Sequence, residues 1–100
     1  MTVNIQFVNV PKSGFLTESV TEKLNKLENK YDWIIGAKVF FKKEKEIDGK
    51  GSICEIDLSV PGPKIFASSI EKNFELATRN TIKDLKTQLN KRKATFKQYL

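Results

Sequence analysis

Residues 15–31, FLTESVTEKLNKLENKY, place Leu16, Val20, Leu24, Leu27 and Tyr31 at steps of four, four, three and four. Those steps track the 3.6-residue turn of an α-helix, so the five side chains form one apolar stripe. On both sides of this stretch the period changes to two. Upstream, Val3, Ile5 and Phe7 alternate with Asn4 and Gln6. Downstream, Ile35, Ala37, Val39 and Phe41 alternate across a second run. Each alternating run predicts a strand with one buried face. Pro11 to Gly14 breaks the first strand, Ser13 or Thr17 can cap the helix, and Asp32 and Gly36 lie near its end. Two strands joined by a helix predict a parallel pair with a right-handed crossover.

The rest of the chain extends this unit. Lys43 to Gly51 is polar and carries the turn signal Asp48-Gly49. Cys54, Ile56, Leu58 and Val60 give a third alternating run, stopped by Pro61-Gly62-Pro63. Ile65 to Ser69 predicts a short fourth strand with Ile65 and Ala67 toward the core. A second helix is predicted from about Lys72 to Ala94 or beyond, with Phe74, Thr78, Ile82, Leu85, Leu89 and Phe96 along one side. The predicted fold is α+β, in the order β-α-β-β-β-α. It has a four-stranded mixed sheet with two helices packed on one face, because each helix offers one apolar stripe. The later strands, joined by hairpin-length turns, should be antiparallel. The other sheet face should meet water. The 100 residues suit a single domain, residues 1–100, without internal repeats.

Composition narrows the chemistry. The chain has no histidine, so the commonest general base and metal ligand are missing. Its one cysteine, Cys54, can form neither an internal disulfide nor a Cys-rich zinc site, and at a core-facing position it reads as a small buried hydrophobe. Gly49 and Gly51 sit in a plain hairpin and make no phosphate loop. Glu55 and Asp57 share one face of the third strand, where Lys38 or Lys42 of the second can pair with them across the ladder. No catalytic residue, metal, cofactor or small-molecule substrate is expected, and the chain is read as a non-enzyme. No signal peptide is visible at Met1 to Val10 and no apolar run approaches the roughly 20 residues of a membrane span. The expected location is the cytoplasm, with no membrane partner.

The charge carries more information. Eighteen Lys and Arg against 12 Asp and Glu give a net +6, which favours polyanionic partners. The cations are also sorted. At 100° per residue, Arg79, Lys83, Lys86, Lys93 and Lys97 form one basic stripe beside the apolar stripe of the second helix. Lys23, Lys26 and Lys30 take one flank of the first helix, with Glu18 and Glu28 toward the other. Lys72, Lys91 and Arg92 add charge near the ends of the second helix. An unsorted solvated surface would mix signs at steps of four. This segregation predicts a footprint for a phosphate backbone, with lysines as point charges and Arg79 able to grip bidentately. Phe40, expected on the open sheet face, can stack a base.

The element order and several stretches resemble the ribosome hibernation promoting factor family, which includes the ribosome-associated inhibitor called protein Y. Glu22-Lys23-Leu24-Asn25-Lys26-Leu27-Glu28 resembles the family's K-L-x-K-L-E segment. Val39-Phe40-Phe41 with Lys43-Glu44, and Ile65-Phe66-Ala67-Ser68, resemble its second and fourth strands. Ile82 to Lys91 resembles its I-x-x-L-x-x-Q-L-x-K segment. The resemblance implies binding to rRNA of the small ribosomal subunit at the decoding channel. There it would block messenger and transfer RNA and silence idle ribosomes in stressed or stationary cells. By position it points to Lys23, Lys26, Lys83, Lys86 and Lys91 as contacts. With the stripe residues, the full candidate set is Lys23, Lys26, Lys30, Arg79, Lys83, Lys86, Lys91 and Lys93. Asp84 stands where some relatives carry a basic residue. The chain resembles the short form, which either works with a separate ribosome-dimerising factor or inactivates single ribosomes.

Two other readings remain open from the sequence. One is a generic double-stranded RNA binder, since two helices on a sheet can read A-form shape. The other is a protein adaptor recruiting a partner through the open sheet face or an edge.

Overall fold

A computed structural model describes residues 1–97 and has the expected element order. The elements are β1 (Thr2–Val8), α1 (Gly14–Lys30), β2 (Gly36–Ile47), β3 (Lys50–Ser59), β4 (Ile65–Glu71) and α2 (Phe74–Lys97). The four strands form one sheet in the order β1-β2-β3-β4. β1 runs parallel to β2, while β3 runs antiparallel to both β2 and β4. The mixed sheet therefore follows the helix and hairpin connections as expected.

The stripe on α1 enters the core: Leu16, Val20, Leu24, Leu27 and Tyr31 are all buried. They meet Ala37, Val39 and Phe41 of β2, Cys54, Ile56 and Leu58 of β3, and Ile82, Leu85 and Leu89 of α2 in one cluster. Each buried Leu or Ile contributes about 1.5–3 kcal/mol by leaving water. Ser13, not Thr17, caps α1: its Oγ accepts from the Leu16 amide at 3.2 Å. Asn73 caps α2 in the same way, accepting from the Leu76 amide at 2.8 Å. That cap sets the start of α2 at Phe74, two residues after the expected Lys72. β4 also extends two residues past the expected Ser69, to Glu71.

Two boundaries differ for identifiable reasons. The alternation predicts Ile35 toward the core, but it is 59% exposed and Ile34 is buried instead. The chain is still turning there, with the Ile34 amide bonded back to the Tyr31 carbonyl at 3.2 Å, so the alternation begins only at Gly36. Lys43 to Gly51, expected as a polar connection, is mostly paired strand. Lys43 pairs with Ser52 and Ile47 with Lys50, with a register shift between them. Asp48 and Gly49 both have positive φ, 56° and 75°, the pattern of a type I′ turn. This ribbon lacks apolar alternation because its exposed side chains reach no core.

The opposite sheet face meets water through Asn4, Gln6, Lys38, Phe66 and Ser68. Lys42 reaches Glu55 at 2.8 Å and Lys64 reaches Asp57 at 3.6 Å. The expected cross-strand pairing of Glu55 is thus made by Lys42, while Asp57 is served by Lys64. Phe40 is half-buried, with the Lys42 ammonium 5.6 Å from its ring centroid, so it is a poorer stacking platform than expected. The more exposed aromatic on this face is Phe66.

Candidate nucleic-acid interface

α1 and α2 lie side by side over the sheet and point the same way. The C-terminal end of α1 is tied to α2 by a hydrogen bond from the Tyr31 hydroxyl to the Asn90 side-chain carbonyl. Trp33, just after α1, packs edge-on against Phe96 near the end of α2 at 4.9 Å between centroids. Phe96 therefore helps align the helices and is half-buried rather than central to the core.

That alignment brings the basic flanks of the two helices together. A groove of about 340 Å³ runs between them, lined by Lys23, Lys26, Arg79, Ile82, Lys83 and Lys86. Among the described residues, five cations surround it and no carboxylate does. Ile82, almost fully buried, is its apolar member. Lys23 and Lys26 reach the groove because they flank the buried Leu24 and Leu27. Arg79, Lys83 and Lys86 reach it because they flank the buried Thr78, Ile82 and Leu85.

Among the described residues there are four ion pairs, and none uses a groove cation. The acids that are paired neutralise the N-terminus, Lys42, Lys50 and Lys64. Like charges in a concave, partly desolvated site repel one another and focus the field. A polyanion relieves that repulsion, and phosphate oxygens fit the donors present.

The remaining candidates fall in two places. Lys30 and Lys93 are exposed and sit near the same ring, with their ammonium groups 5.4 and 6.0 Å from the Tyr31 centroid. They extend the basic surface along the seam beyond the groove. Lys91 does not join it. It lies beside Lys64, Gln88, Arg92 and Thr95 on the other flank of α2. Asp84 is exposed and does not line the groove. The Lys97 side chain lies outside the described residues. Sequence periodicity passes over Lys64, because the turn that carries it meets α2 only in the folded chain.

Among the described residues, no group of three or more His, Cys, Asp or Glu side chains could hold a metal ion. No described helix is long and apolar enough to cross a membrane. Burial, the largest influence, pushes the Cys54 thiol up to about 11; the Thr78 and Thr81 hydroxyls oppose that and Glu55 adds to it. A thiol so disposed is a poor nucleophile at neutral pH.

A family model described as Sigma 54 modulation protein / S30EA ribosomal protein matches residues 3–97. A ribosomal subunit interface protein from Coxiella burnetii has a similar structure, with a TM-score of 0.82 at 24% identity over 94% of this chain and 99% of that one. The N-terminal domain of Thermus thermophilus Protein Y is also similar, with a TM-score of 0.76 at 22% identity over 91% of this chain and 98% of that one. No curated protein matches the chain.

Proposed function

The chain belongs to the Sigma 54 modulation protein / S30EA ribosomal protein family, and from that premise we propose that it silences idle ribosomes by binding rRNA of the small subunit at the decoding channel. The observation that carries this reading is the groove between α1 and α2, which among the described residues has five cations and no carboxylate. The similarity to a ribosomal subunit interface protein fits a ribosomal partner.

The mechanism is occupancy. Lys23, Lys26, Lys83 and Lys86 act as point charges against phosphates, and Arg79 adds a bidentate grip. Lys30 and Lys93 extend the contact along the helix seam, and Lys91 contributes from the far flank of α2. A domain held this way fills space that messenger and transfer RNA would need, so translation stops without any bond being made or broken. No cofactor is required. The protein acts in the cytoplasm of resting or stressed cells, either on single ribosomes or beside a separate ribosome-dimerising factor.

Displacement tests this directly. Labelled transfer RNA bound to small subunits with messenger RNA should be released as the protein is added. A Lys83→Glu/Lys86→Glu variant that remains folded should release far less. Tight binding to the subunit with the transfer RNA retained would rule out the decoding channel as the site. Equal affinity for a plain RNA duplex and for the subunit would favour a generic duplex binder.

A further inference from the structure

We infer that the Pro61–Lys64 turn and the outer flank of α2 form a second phosphate-binding site, in which Arg92 grips a backbone phosphate with Lys91 and Lys64 beside it. This rests on the RNA-binding reading and deepens it. The groove between the helices holds one RNA strand, and the outer flank of α2 takes another.

A half-open pocket there is lined by Lys64, Ile65, Gln88, Lys91, Arg92 and Thr95. Among the described residues it gathers three cations and no carboxylate. Lys64 also borders the open sheet face, where its ammonium lies 3.6 Å from Asp57; at 64% exposed it is loosely held. Among the described residues, neither Lys91 nor Arg92 forms an ion pair.

Arg92 is held in place. Its Nη1 donates to the Pro61 carbonyl at 2.9 Å. Gly62 has φ +89°, and a Cβ there would stand 3.1 Å from that same nitrogen. The turn therefore needs glycine twice, for its left-handed backbone and for the space the guanidinium occupies. A guanidinium carries five N–H donors, so one bond to Pro61 leaves the others free to bind. A guanidinium fixed this way loses less side-chain entropy when it binds phosphate.

The two basic sites lie on opposite sides of α2. At 100° per residue, Arg79, Lys83 and Lys86 fall on one side of the buried Leu85–Leu89 line, and Gln88, Lys91, Arg92 and Thr95 on the other. A helix about 10–12 Å across with cations on both flanks can lie between two phosphodiester strands. A helix gripping one strand would need only the groove side.

The test is NMR titration of the full, nitrogen-labelled chain with a short RNA duplex. Two sets of signals are followed: the Lys83 and Lys86 amides for the groove, and the Gly62 amide with the Arg92 Nε for the turn. Both sets should shift. Arg92→Gln should abolish the Gly62 shift, spare the groove shifts, and lower the salt slope by about 0.7–0.9, one phosphate's share. Arg92→Lys, which keeps the charge without the fork, should keep the slope and weaken binding. Shifts confined to the groove would overturn the second site and leave the RNA reading standing. A Gly62 shift that persists in Arg92→Gln would also overturn it. No shift in either set would overturn the second site, while the groove's reading is decided separately by the displacement of transfer RNA from small subunits.

Discussion

The Tyr31 hydroxyl donates to the Asn90 side-chain carbonyl, joining the C-terminal end of α1 to α2 across 59 residues of sequence. The Tyr31 ring beneath is fully buried, and the Lys30 and Lys93 ammonium groups lie within 6.0 Å of its centroid. One side chain thus belongs to the core and also sets the spacing of the two basic flanks.

Tyr31→Phe removes that bond without opening a cavity. It should cost about 1 kcal/mol, the usual net value of such a hydrogen bond. Urea denaturation would read this as a lower midpoint with an unchanged slope. An unchanged midpoint would mean that packing alone aligns the helices.

Charge reversal in the groove should separate binding from folding. Lys26→Glu with Lys83→Glu should reduce the salt slope of RNA binding by about 0.7–0.9 for each phosphate that is no longer neutralised. Both side chains are solvent-facing cations without ion pairs among the described residues, so stability should change by no more than about 0.5 kcal/mol each. Lys45→Glu, on the β2–β3 ribbon away from the groove, should leave the slope unchanged.

The fold is readable in the sequence where burial sets a period. The α1 stripe, the alternation in β1 and β3, and the Asp48-Gly49 turn all occupy the expected places. Periodicity misleads where bonding without burial decides the structure. Ile35 is apolar but stands where the chain is still turning. Lys43 to Ile47 is charged yet paired, because the ladder needs only backbone groups. The basic flanks are legible as two separate stripes. Their convergence on one groove is not, because a helical wheel carries no information about the neighbouring helix. Arg92 is legible only as extra charge, since its partner Pro61 is 31 residues away.

Cys54 gives a pH prediction. Burial raises its thiol from 9.0 to about 11. Between those values the folded state holds a proton that the unfolded state has released, so stability should be intact below pH 9 and fall as pH climbs toward 11. The slope from this group is at most about 1.4 kcal/mol per pH unit. Cys54→Ala should flatten the alkaline limb relative to the parent. In the parent, a thiol reagent at pH 8 should react only after denaturation; rapid labelling of the native protein would contradict the buried placement.

The shared core predicts a large effect from one truncation. Leu24 is fully buried between the sheet and α2, so Leu24→Ala should cost about 2–5 kcal/mol. Because the same helix face positions Lys23 and Lys26, RNA binding should weaken along with thermal stability. Retained stability would mean that α1 is not integral to the core.

The most direct measurement is sucrose-gradient co-sedimentation of the purified protein with small ribosomal subunits, at low and at high salt. The protein should travel with the subunit at low salt and dissociate from it as salt rises, and the Lys26→Glu/Lys83→Glu variant should stay at the top of the gradient. No association at low salt would contradict the account, despite the family membership and the cationic groove.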